Sequence, residues 1–250
     1  MTWWADLYDD WLAEQLLVRG EAEVQGELAF LAHHLGLAEG TRALDQCCGV
    51  GSLSLPLEAR GVEVVGVDQA AGYVARADRD ARARGLSATF FAADAREFVP
   101  RERVHGAFNW WTSFGYSPSD DDNARMLARA FEALVPGGRF ALDTMNVPGV
   151  LRSFQRDVAL RKQTPRGEVL LLRESSVDLA RGMMDKRWTY FVGEKLEVEH
   201  RSSVRLYLPD AIAKMLRGVG FTDVELLGST AGEAVTLDSP RLIALARRPS

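Results

Sequence analysis

The segment ALDQCCGVGSLS, residues 43–54, brings an acidic side chain, two adjacent thiols and two glycines together. Thiols and a carboxylate could ligate a metal, and two thiols could cycle between oxidation states. Gly49 and Gly51 could instead let the backbone approach a ligand closely at the N-terminus of a helix. These residue types therefore fit a metal site, a redox pair or a nucleotide-binding loop.

The rest of the sequence supports neither a metal site nor a redox pair. Structural zinc needs about four ligands, and Cys47 and Cys48 are the only cysteines. Because the two are adjacent, they bridge only with strain, and they do not form a C-x-x-C arrangement. The four histidines do not have the spacing of metal ligands. They are His33, His34, His105 and His200. We interpret the cysteines as small packing residues and predict no metal and a reducing cytoplasm.

The composition indicates one sizeable domain with its own core. The chain has 250 residues, of which 47% are hydrophobic and 26% charged. Its net charge of −5 provides no overall basic field, so a nucleic-acid substrate is not favoured. The acidic N-terminus does not resemble a signal peptide, and no apolar run reaches the ~18 residues that would span a membrane. We expect a cytoplasmic protein without a membrane partner.

Strand-like and helix-like segments alternate five times up to Asn146, which predicts a doubly wound, mostly parallel sheet of Rossmann-like type. The five predicted strands are RALDQC, VEVVGVD, ATFFAADA, HGAFNWW and RFALDTMN. After a helix over 209–220, two further strands, FTDVELLG and RLIALARR, complete a seven-stranded sheet. In such sheets the ligand binds at the carboxyl ends of the strands.

The segment between the fifth predicted strand and the helix over 209–220 is predicted to form an antiparallel insertion that covers the active site. Three strands are expected there, EVLLLRESSVDL, MDKRWTYFVG and KLEVEHRSSVRLYL. The predicted divisions are an N-terminal helical lid (1–40), a cofactor-binding core (41–146), the insertion (147–207) and a C-terminal part that returns to the core (208–250).

The loop after the first strand resembles, but does not match, the dinucleotide fingerprint G-x-G-x-x-G. Ser54 stands at the third small position after Gly49 and Gly51. Asp68 ends the next strand, roughly 20 residues on, where a carboxylate can accept both hydroxyls of a ribose. An ordinary tight turn with a solvated aspartate is the alternative.

Five blocks in order identify a resemblance to the class I S-adenosylmethionine-dependent methyltransferases. They are LDQCCGVGSLS, VVGVDQ, FFAADA, FNWWTSFGY and LVPGGRFALDTMN. The last two, with RLYLPDAIAKML, resemble a branch of bacterial stand-alone methyltransferases with an antiparallel insertion after the fifth strand. The resemblance covers almost all of the chain, and it departs from the superfamily at Cys47, where glycine is usual. It implies S-adenosyl-L-methionine as cofactor and S-adenosyl-L-homocysteine as product.

The resemblance also implies a set of cofactor contacts. Asp45 would help to hold the methionine end, and Gly49 and Gly51 would pass beneath the ribose and methionine. Asp68 would take the ribose hydroxyls, and the neighbouring Gln69 would also contact the cofactor. The remaining contacts would be Asp94 with the adenine amino group, the Ala95 backbone with the ring edge, Asn109 with the methionine amino group, and Tyr8. Asp94 has an alternative role as the cap of the DAREF turn.

The acceptor side is predicted from aromatic, basic and amide residues near the strand ends. The N-terminal aromatics Trp3, Trp4, Tyr8 and Trp11 would form a lid or, alternatively, a staple onto the surface. Arg205 would clamp an acceptor carboxylate or phosphate, unless it pairs with Glu199 or Asp210. The predicted acceptor contacts are Trp111, Tyr116, Asn146, Arg205 and Tyr207, and the alternative for Trp111 is a place in the core.

The predicted catalytic residues are His200 and Tyr116. In the last insertion strand the alternation places His200 on one face and Glu199, Arg201, Ser203, Arg205 and Tyr207 on the other. His200 could deprotonate an acceptor, and its alternative is an ordinary exposed strand histidine.

Several functions remain open at this point. The favoured one is methyl transfer to an oxygen, nitrogen or carbon of a small molecule, such as a specialised metabolite. An RNA or protein methyltransferase would need a basic groove, for which the candidates are Arg152, Arg156, Arg161, Lys162 and Arg166. A non-catalytic adenosyl-ligand-binding protein is a third reading. Ser54 and the lack of a Tyr-x-x-x-Lys motif count against a nicotinamide dehydrogenase. The oligomeric state is left open.

Overall fold

The computed structural model describes residues 7–13 and 20–250. The predicted contributions of Trp3 and Trp4 to a lid lie outside the described residues. The strands, in chain order, are β1 (Arg42–Gln46), β2 (Glu63–Asp68), β3 (Thr89–Ala92), β4 (Val104–Asn109), β5 (Leu134–Thr144), β6 (Asp157–Thr164), β7 (Gly167–Asp178), β8 (Met183–Val192), β9 (Lys195–Arg205), β10 (Thr222–Leu227) and β11 (Leu242–Arg247). The helices are α1 (Asp10–Leu12), α2 (Glu21–Leu35), α3 (Ser54–Glu58), α4 (Ala71–Ala83), α5 (Asp120–Ala133), α6 (Val147–Arg152) and α7 (Pro209–Val219).

Seven strands form the main sheet in the order β10-β11-β5-β4-β1-β2-β3. Strands β1 to β5 pair in parallel, and β11 is antiparallel to both β5 and β10. The predicted Rossmann-like, mostly parallel seven-stranded fold is confirmed. Among the described residues, no helix is both long and apolar enough to cross a membrane.

Alternation along the central strands fills a core on each face of this sheet. In β5, Phe140 and Leu142 point into one cluster, where they meet Leu127 of α5. Ala141 points into the opposite cluster, which contains Leu28 of α2. These side chains are fully buried, so the central strands are held from both faces and their carboxyl ends are fixed in position.

The start of α5 is set by a conventional cap. The Ser119 hydroxyl accepts a hydrogen bond from the Asp122 backbone N–H at 3.3 Å. Asp120, Asp121 and Asp122 fill the first turn, where the helix dipole favours negative charge. This helix therefore presents carboxylates beside the carboxyl edge of the sheet.

The insertion is a second sheet with the order β6-β7-β8-β9, antiparallel throughout. Three of its strands correspond to the predicted ones. Strand β6 was missed because most of its residues are exposed, so the segment shows no run of buried apolar residues. The short helix α6 was missed as well. Leu7 and Leu12 pack against β7 and β8 of this sheet, next to Leu171 and Trp188.

Candidate active site

A cleft opens at the carboxyl edge of the main sheet, between that edge and the second sheet. Its floor comes from the segments that follow β1, β2, β3, β4 and β5, and its roof from β8, β9 and the N-terminal segment. The floor residues include Cys47, Cys48, Gly49, Asp68, Gln69, Asp94, Ala95, Trp111, Tyr116 and Met145, and the roof residues include Tyr8, Lys186, Trp188, Ser202 and Val204.

The loop after β1 adopts left-handed backbone conformations at three positions. Cys47 has φ 66°, Gly49 φ 54° and Gly51 φ 77°. This explains why glycine is usual in the superfamily where Cys47 stands, since a side chain there is strained. A Cβ on Gly49 would meet no atom within 4 Å, so the cleft approaches the bare backbone. Gly51 packs instead against Ala77, Leu55 and Phe90 and does not line the cleft.

Asp68 is fixed by the backbone on both sides of its carboxylate. One oxygen accepts from the Gly49 N–H at 2.9 Å, and the other accepts from the Ala70 N–H at 2.8 Å. Burial raises the pKa of Asp68, and these backbone hydrogen bonds oppose the shift. Each carboxylate oxygen retains a further lone pair, so the group can accept two hydroxyls from a ligand in the cleft.

Asp45 lies behind the loop, 3% exposed, and does not line the cleft. The Ser54 hydroxyl donates to one of its carboxylate oxygens at 2.6 Å. Burial raises the pKa of Asp45 to about 7, against the opposing effect of the Ser54 hydrogen bond. The carboxyl is therefore poised to change its charge near neutral pH.

The two cysteines are neutral thiols at the cleft floor. Burial, and then the nearby carboxylates, raise the pKa values of Cys47 and Cys48 well above their ordinary range. In residues 7–13 and 20–250 no group of three or more His, Cys, Asp and Glu side chains is arranged to hold a metal.

Asp94 lines the cleft and also caps the turn that follows β3. It accepts from the Arg96 backbone N–H at 2.8 Å, and the Arg96 guanidinium lies across both carboxylate oxygens. This pairing lowers the pKa of Asp94. Arg96 lines the cleft as well, so the carboxylate is ionised and held in one orientation.

Asn109 lies beneath the cleft rather than in its wall. It is fully buried, and its amide nitrogen lies 3.4 Å from the Gln46 side-chain oxygen and 3.6 Å from the Cys47 sulfur. Its side-chain oxygen has no hydrogen-bond partner among the described residues. The Gln46 amide in turn donates to the Met126 carbonyl at 3.0 Å. This network supports the loop that carries Cys47.

Three tyrosines meet at the mouth of the cleft. The phenol oxygens of Tyr8 and Tyr116 lie within hydrogen-bonding distance, and their rings stack at 6.1 Å between centroids. Tyr73 meets Tyr8 edge-on and donates its hydroxyl to the Asp9 carbonyl at 2.6 Å. Burial raises the pKa values of Tyr8 and Tyr116, so both phenols are protonated.

His200 belongs to the roof but not to the cleft lining. Its Nε2 lies 2.9 Å from the Asp9 carboxylate, and the side chain is buried, which differs from the exposed alternative of the sequence analysis. The pair attaches the N-terminal segment to the second sheet. The face of β9 that covers the cleft carries Ser202 and Val204, the face of His200 and not that of Arg205.

Arg205 and Tyr207 lie outside the cleft, in contact with the start of α5. The Arg205 guanidinium donates to both oxygens of Asp120, at 2.9 and 3.1 Å. The Tyr207 hydroxyl donates to Asp120 at 2.7 Å and accepts from Asn123 at 2.9 Å. Arg205 is thus in an ion pair, as the alternative from the sequence had it. Its partner is Asp120, and not Glu199 or Asp210. Its guanidinium is already bound to a carboxylate.

Asn146 is also placed behind the cleft. Its amide donates to the carbonyls of Thr236 and Ser239, at 2.7 and 2.9 Å, and ties the end of β5 to the loop before β11. Of the predicted acceptor contacts, the structure brings Trp111 and Tyr116 into the cleft and leaves Asn146, Arg205 and Tyr207 out of its lining.

Trp111 is held by a buried network that the sequence analysis did not find. Its indole N–H donates to the Glu27 carboxylate at 2.9 Å, and its backbone N–H donates to Asp143 at 2.9 Å. Arg241 pairs with both Glu27 and Asp143. Since these residues are far apart in sequence and carry no local motif, nothing in the sequence signals the network. It fixes the strained turn at Trp111, whose φ is 57°.

The second sheet contributes four cleft residues that were also missed, namely Lys186, Trp188, Ser202 and Val204. The Trp188 indole donates to the Ser202 hydroxyl at 2.8 Å. Period-two alternation in MDKRWTYFVG places Lys186, Trp188 and Tyr190 on one face. That pattern could have identified them, had the inward face been known.

Comparison with known proteins assigns the class of this domain. Residues 43–138 match a family model described as a methyltransferase domain. The CcbJ methyltransferase from Streptomyces caelestis has the same fold, with a TM-score of 0.80 at 19% identity over 98% of this chain and 96% of that one. The chain therefore carries a methyltransferase domain in the fold of the class I S-adenosylmethionine-dependent methyltransferases, as the resemblance predicted. This assignment supports S-adenosyl-L-methionine as the cofactor.

Curated relatives align with part of the chain only. A 23S rRNA uracil methyltransferase, RlmD, from Shewanella amazonensis is 41% identical over 86 residues, which are 34% of this chain and 19% of that protein. A demethylmenaquinone methyltransferase from Thermus thermophilus is 39% identical over 104 residues, 40% of this chain and 46% of that protein. The chain spans less than half the length of either relative.

Proposed function

We propose that this chain is an S-adenosylmethionine-dependent methyltransferase that moves a methyl group to an oxygen, nitrogen or carbon of a small molecule. The observation that carries the proposal is the arrangement at the carboxyl edge. There the bare backbone at Gly49 and the carboxylates of Asp68 and Asp94 border one cleft. The methyltransferase domain match covers these same residues.

The residues fit an adenosyl ligand in a defined orientation. Asp68, with Gln69 beside it, would accept the ribose hydroxyls, and Asp94 with the Ala95 backbone would meet the adenine edge. Gly49 would pass beneath the ribose. Asp45 and Asn109 lie one layer further back, so their contributions to the methionine end would pass through water or through the loop at Cys47. Tyr8 would close over the ligand from the roof.

The cofactor supplies an activated methyl group when it is bound. The chain has to orient the acceptor in line with that methyl group and exclude water. Tyr8, Tyr116 and Trp188 provide aromatic walls for this purpose. Because burial raises the pKa values of Tyr8 and Tyr116, we assign the pair as a hydrogen-bond donor to the acceptor rather than as a base. Each phenol has one O–H and the two are hydrogen-bonded to each other, so one of them donates to the other and only one can donate to the acceptor. His200 is assigned to positioning the N-terminal segment through Asp9.

A small-molecule acceptor is favoured over RNA or protein because the second sheet roofs the cleft. The basic residues considered for a polynucleotide groove are partly neutralised by local partners. Arg152 pairs with Asp238, and Arg161 pairs with Glu168. The demethylmenaquinone methyltransferase relative has a small-molecule acceptor in its name, whereas the RlmD relative has an RNA. The test therefore has to separate these acceptor classes.

The proposal is tested with methyl-labelled S-adenosylmethionine. The purified protein is incubated with host extract that has been divided into small-molecule, RNA and protein fractions. Label in the small-molecule fraction is the expected result and supplies a product for mass spectrometry. Label in RNA or protein would overturn the acceptor class. Absence of transfer together with tight adenosylhomocysteine binding would favour a non-catalytic binding protein.

A further inference from the structure

Two cationic side chains on the roof flank an aromatic ring. Arg173 of β7 lies opposite Trp188 of β8, and Lys186 lies opposite Ser175, so all four side chains share one face of the sheet. The Arg173 guanidinium carbon is 5.7 Å from the centroid of the Trp188 ring. The Lys186 Nζ is also 5.7 Å from it. The ring therefore holds both cations on the inner face.

Neither cation has an acidic partner in residues 7–13 and 20–250. The Arg173 Nε is buried and makes no hydrogen bond there. Burial, and then the charge of Arg173, lower the pKa of Lys186 to about 8, and burial lowers the pKa of Arg173. By contrast, Arg187 on the outer face of β8 pairs with Glu174. Arg173 and Lys186 are both half-buried. Charges that are partly removed from water and lack a partner are unfavourable, so this arrangement is suited to an anion that comes from outside the chain.

The two cations open onto a side cavity that adjoins the cleft. Its polar lining is Arg173, Lys186, Ser175, Ser153 and Gln155, and its apolar lining is Met145, Val150, Phe154 and Met184. Met145 and Lys186 line both this cavity and the cleft. One molecule can therefore present an acceptor atom in the cleft and a second group in the side cavity.

We propose that Arg173 and Lys186 form an anion subsite that binds a carboxylate or phosphate group of the methyl acceptor. The identification of that ligand as the acceptor rests on the proposed function. The planar guanidinium suits two oxygens of one anionic group, and the ammonium adds a second charge. Ser175 provides a hydroxyl donor on the same face. The acceptor is thus an anionic small molecule whose charge lies to the β6–β7 side of the methyl-transfer centre.

The subsite is tested with small aromatic probes that differ in charge. Benzoate, phenyl phosphate and neutral benzamide are titrated by calorimetry into the full chain, with and without saturating adenosylhomocysteine. We expect one or both anions to bind at least about tenfold more tightly than benzamide. The better of the two distinguishes a carboxylate site from a phosphate site. Equal binding of anions and benzamide would overturn the proposal.

Single substitutions test whether Arg173 and Lys186 are the residues that bind the anion. Arg173→Gln and Lys186→Gln should each weaken binding of the preferred anion by about tenfold or more. Arg173 lines the side cavity and not the cleft, so Arg173→Gln should also leave the affinity for adenosylhomocysteine unchanged. Arg187→Gln and Lys195→Gln remove the same charges from outside the cavity and are the matched controls. Anion binding that is equal in all four variants would contradict the assignment. The preference of the wild-type chain for anions over benzamide remains decisive if a variant does not fold.

The experiments can refute the anion subsite and the proposed methyltransferase function independently of each other. If adenosylhomocysteine binds but the anions are not preferred, the subsite is refuted while the cofactor site stands. If the anions bind at Arg173 and Lys186 but adenosylhomocysteine does not bind, the subsite stands while the proposed function is refuted.

Discussion

At the scale of single residues, Asp45 and Asp68 show how the same side chain takes two roles. Asp68 faces the cleft and receives two backbone hydrogen bonds. Asp45 is buried one layer behind it, with the Ser54 hydroxyl as its donor. Because desolvation dominates at Asp45, its pKa rises to about 7. Burial raises the pKa of both carboxyls, and they differ in the hydrogen bonds that oppose it, which come from the Ser54 hydroxyl at Asp45 and from backbone N–H groups at Asp68.

The raised pKa of Asp45 has a consequence for stability. Between pH 4 and 7 the folded chain holds a proton at Asp45 that the unfolded chain has lost, so stability falls as pH rises, by up to about 1.4 kcal/mol per pH unit. We expect Asp45→Asn to remove this contribution. The unfolding free energy of the variant minus that of the wild type should increase by on the order of 2 kcal/mol from pH 5 to pH 8. Urea unfolding at a series of pH values measures this difference.

The control for this comparison is Asp80→Asn, which changes an exposed carboxyl on α4. Its unfolding free energy should follow that of the wild type across the same pH range. Parallel curves for Asp45→Asn and wild type would show that Asp45 does not titrate in this interval.

At the scale of elements, the second sheet is attached to the main domain through the start of α5. Asp120, in the first turn of α5, accepts from Arg205 and Tyr207 at the end of the last insertion strand. The Arg205 backbone N–H also donates to the Gly115 carbonyl at 2.7 Å. This attachment fixes the distance between the roof and the floor of the cleft.

Arg205→Ala should therefore weaken the attachment rather than acceptor recognition. We expect a loss of about 1 kcal/mol in unfolding free energy, because the pair is bidentate but partly solvated. Thermal and urea unfolding measure it. Arg187→Ala, which breaks the exposed pair with Glu174, is the control and should leave stability unchanged. A rise in the acceptor's KM with unaltered stability would support the clamp predicted from the sequence instead.

The insertion also shows where a sequence pattern stops being informative. Alternation in β9 separates His200, Ser202 and Val204 from Glu199, Arg201 and Ser203, and both sets contain polar residues. The pattern predicts two faces but does not say which one is turned inward. That choice depends on contacts with the N-terminal segment and α5, which are distant in sequence. For this reason Arg205 was predicted to contact the acceptor, whereas Ser202 and Val204 line the cleft.

At the scale of the whole molecule, a buried charge network joins parts of the chain that are far apart in sequence. Glu27 of α2 and Asp143 of β5 are each 2% exposed, and Arg241, just before β11, pairs with both at 2.7 and 2.6 Å. Trp111, in the turn after β4, donates to the two carboxylates. The network thus connects α2 and the start of β11 to Trp111, which lines the cleft.

Removing the cation from this network should be strongly destabilising. Arg241→Gln leaves two buried carboxylates without their counter-charge, and we expect a loss of about 2–4 kcal/mol, measured by urea unfolding. Arg152→Gln, in an exposed pair with Asp238, serves as the control with little effect. Adding Asp143→Asn to Arg241→Gln should recover part of the loss. Equal losses for Arg241→Gln and Arg152→Gln would show that the network contributes nothing beyond surface pairing.

The main sheet was predictable because strand-like and helix-like segments alternate along the chain. Asp68 ends β2, and the glycine loop and Asp94 follow β1 and β3, so the cofactor residues could be placed at the strand ends. The positions of Asp45 and Asn109, one layer behind the cleft, were not, since a strand-end position does not reveal the depth of a side chain. The charge network and the pair of Arg173 and Lys186 arise only from tertiary packing. The predicted roles of the cofactor contacts therefore remain predictions to be measured.

The most direct test is calorimetric titration of adenosylhomocysteine into the wild type and Asp68→Ala. We expect binding to the wild type and a weakening of about 10- to 100-fold in the variant, equivalent to about 1–3 kcal/mol for the lost charge-assisted hydrogen bonds. Thermal unfolding of both proteins shows whether the variant is folded. An unchanged dissociation constant in a folded Asp68→Ala, or binding of NAD in place of adenosylhomocysteine, would contradict the proposed cofactor site.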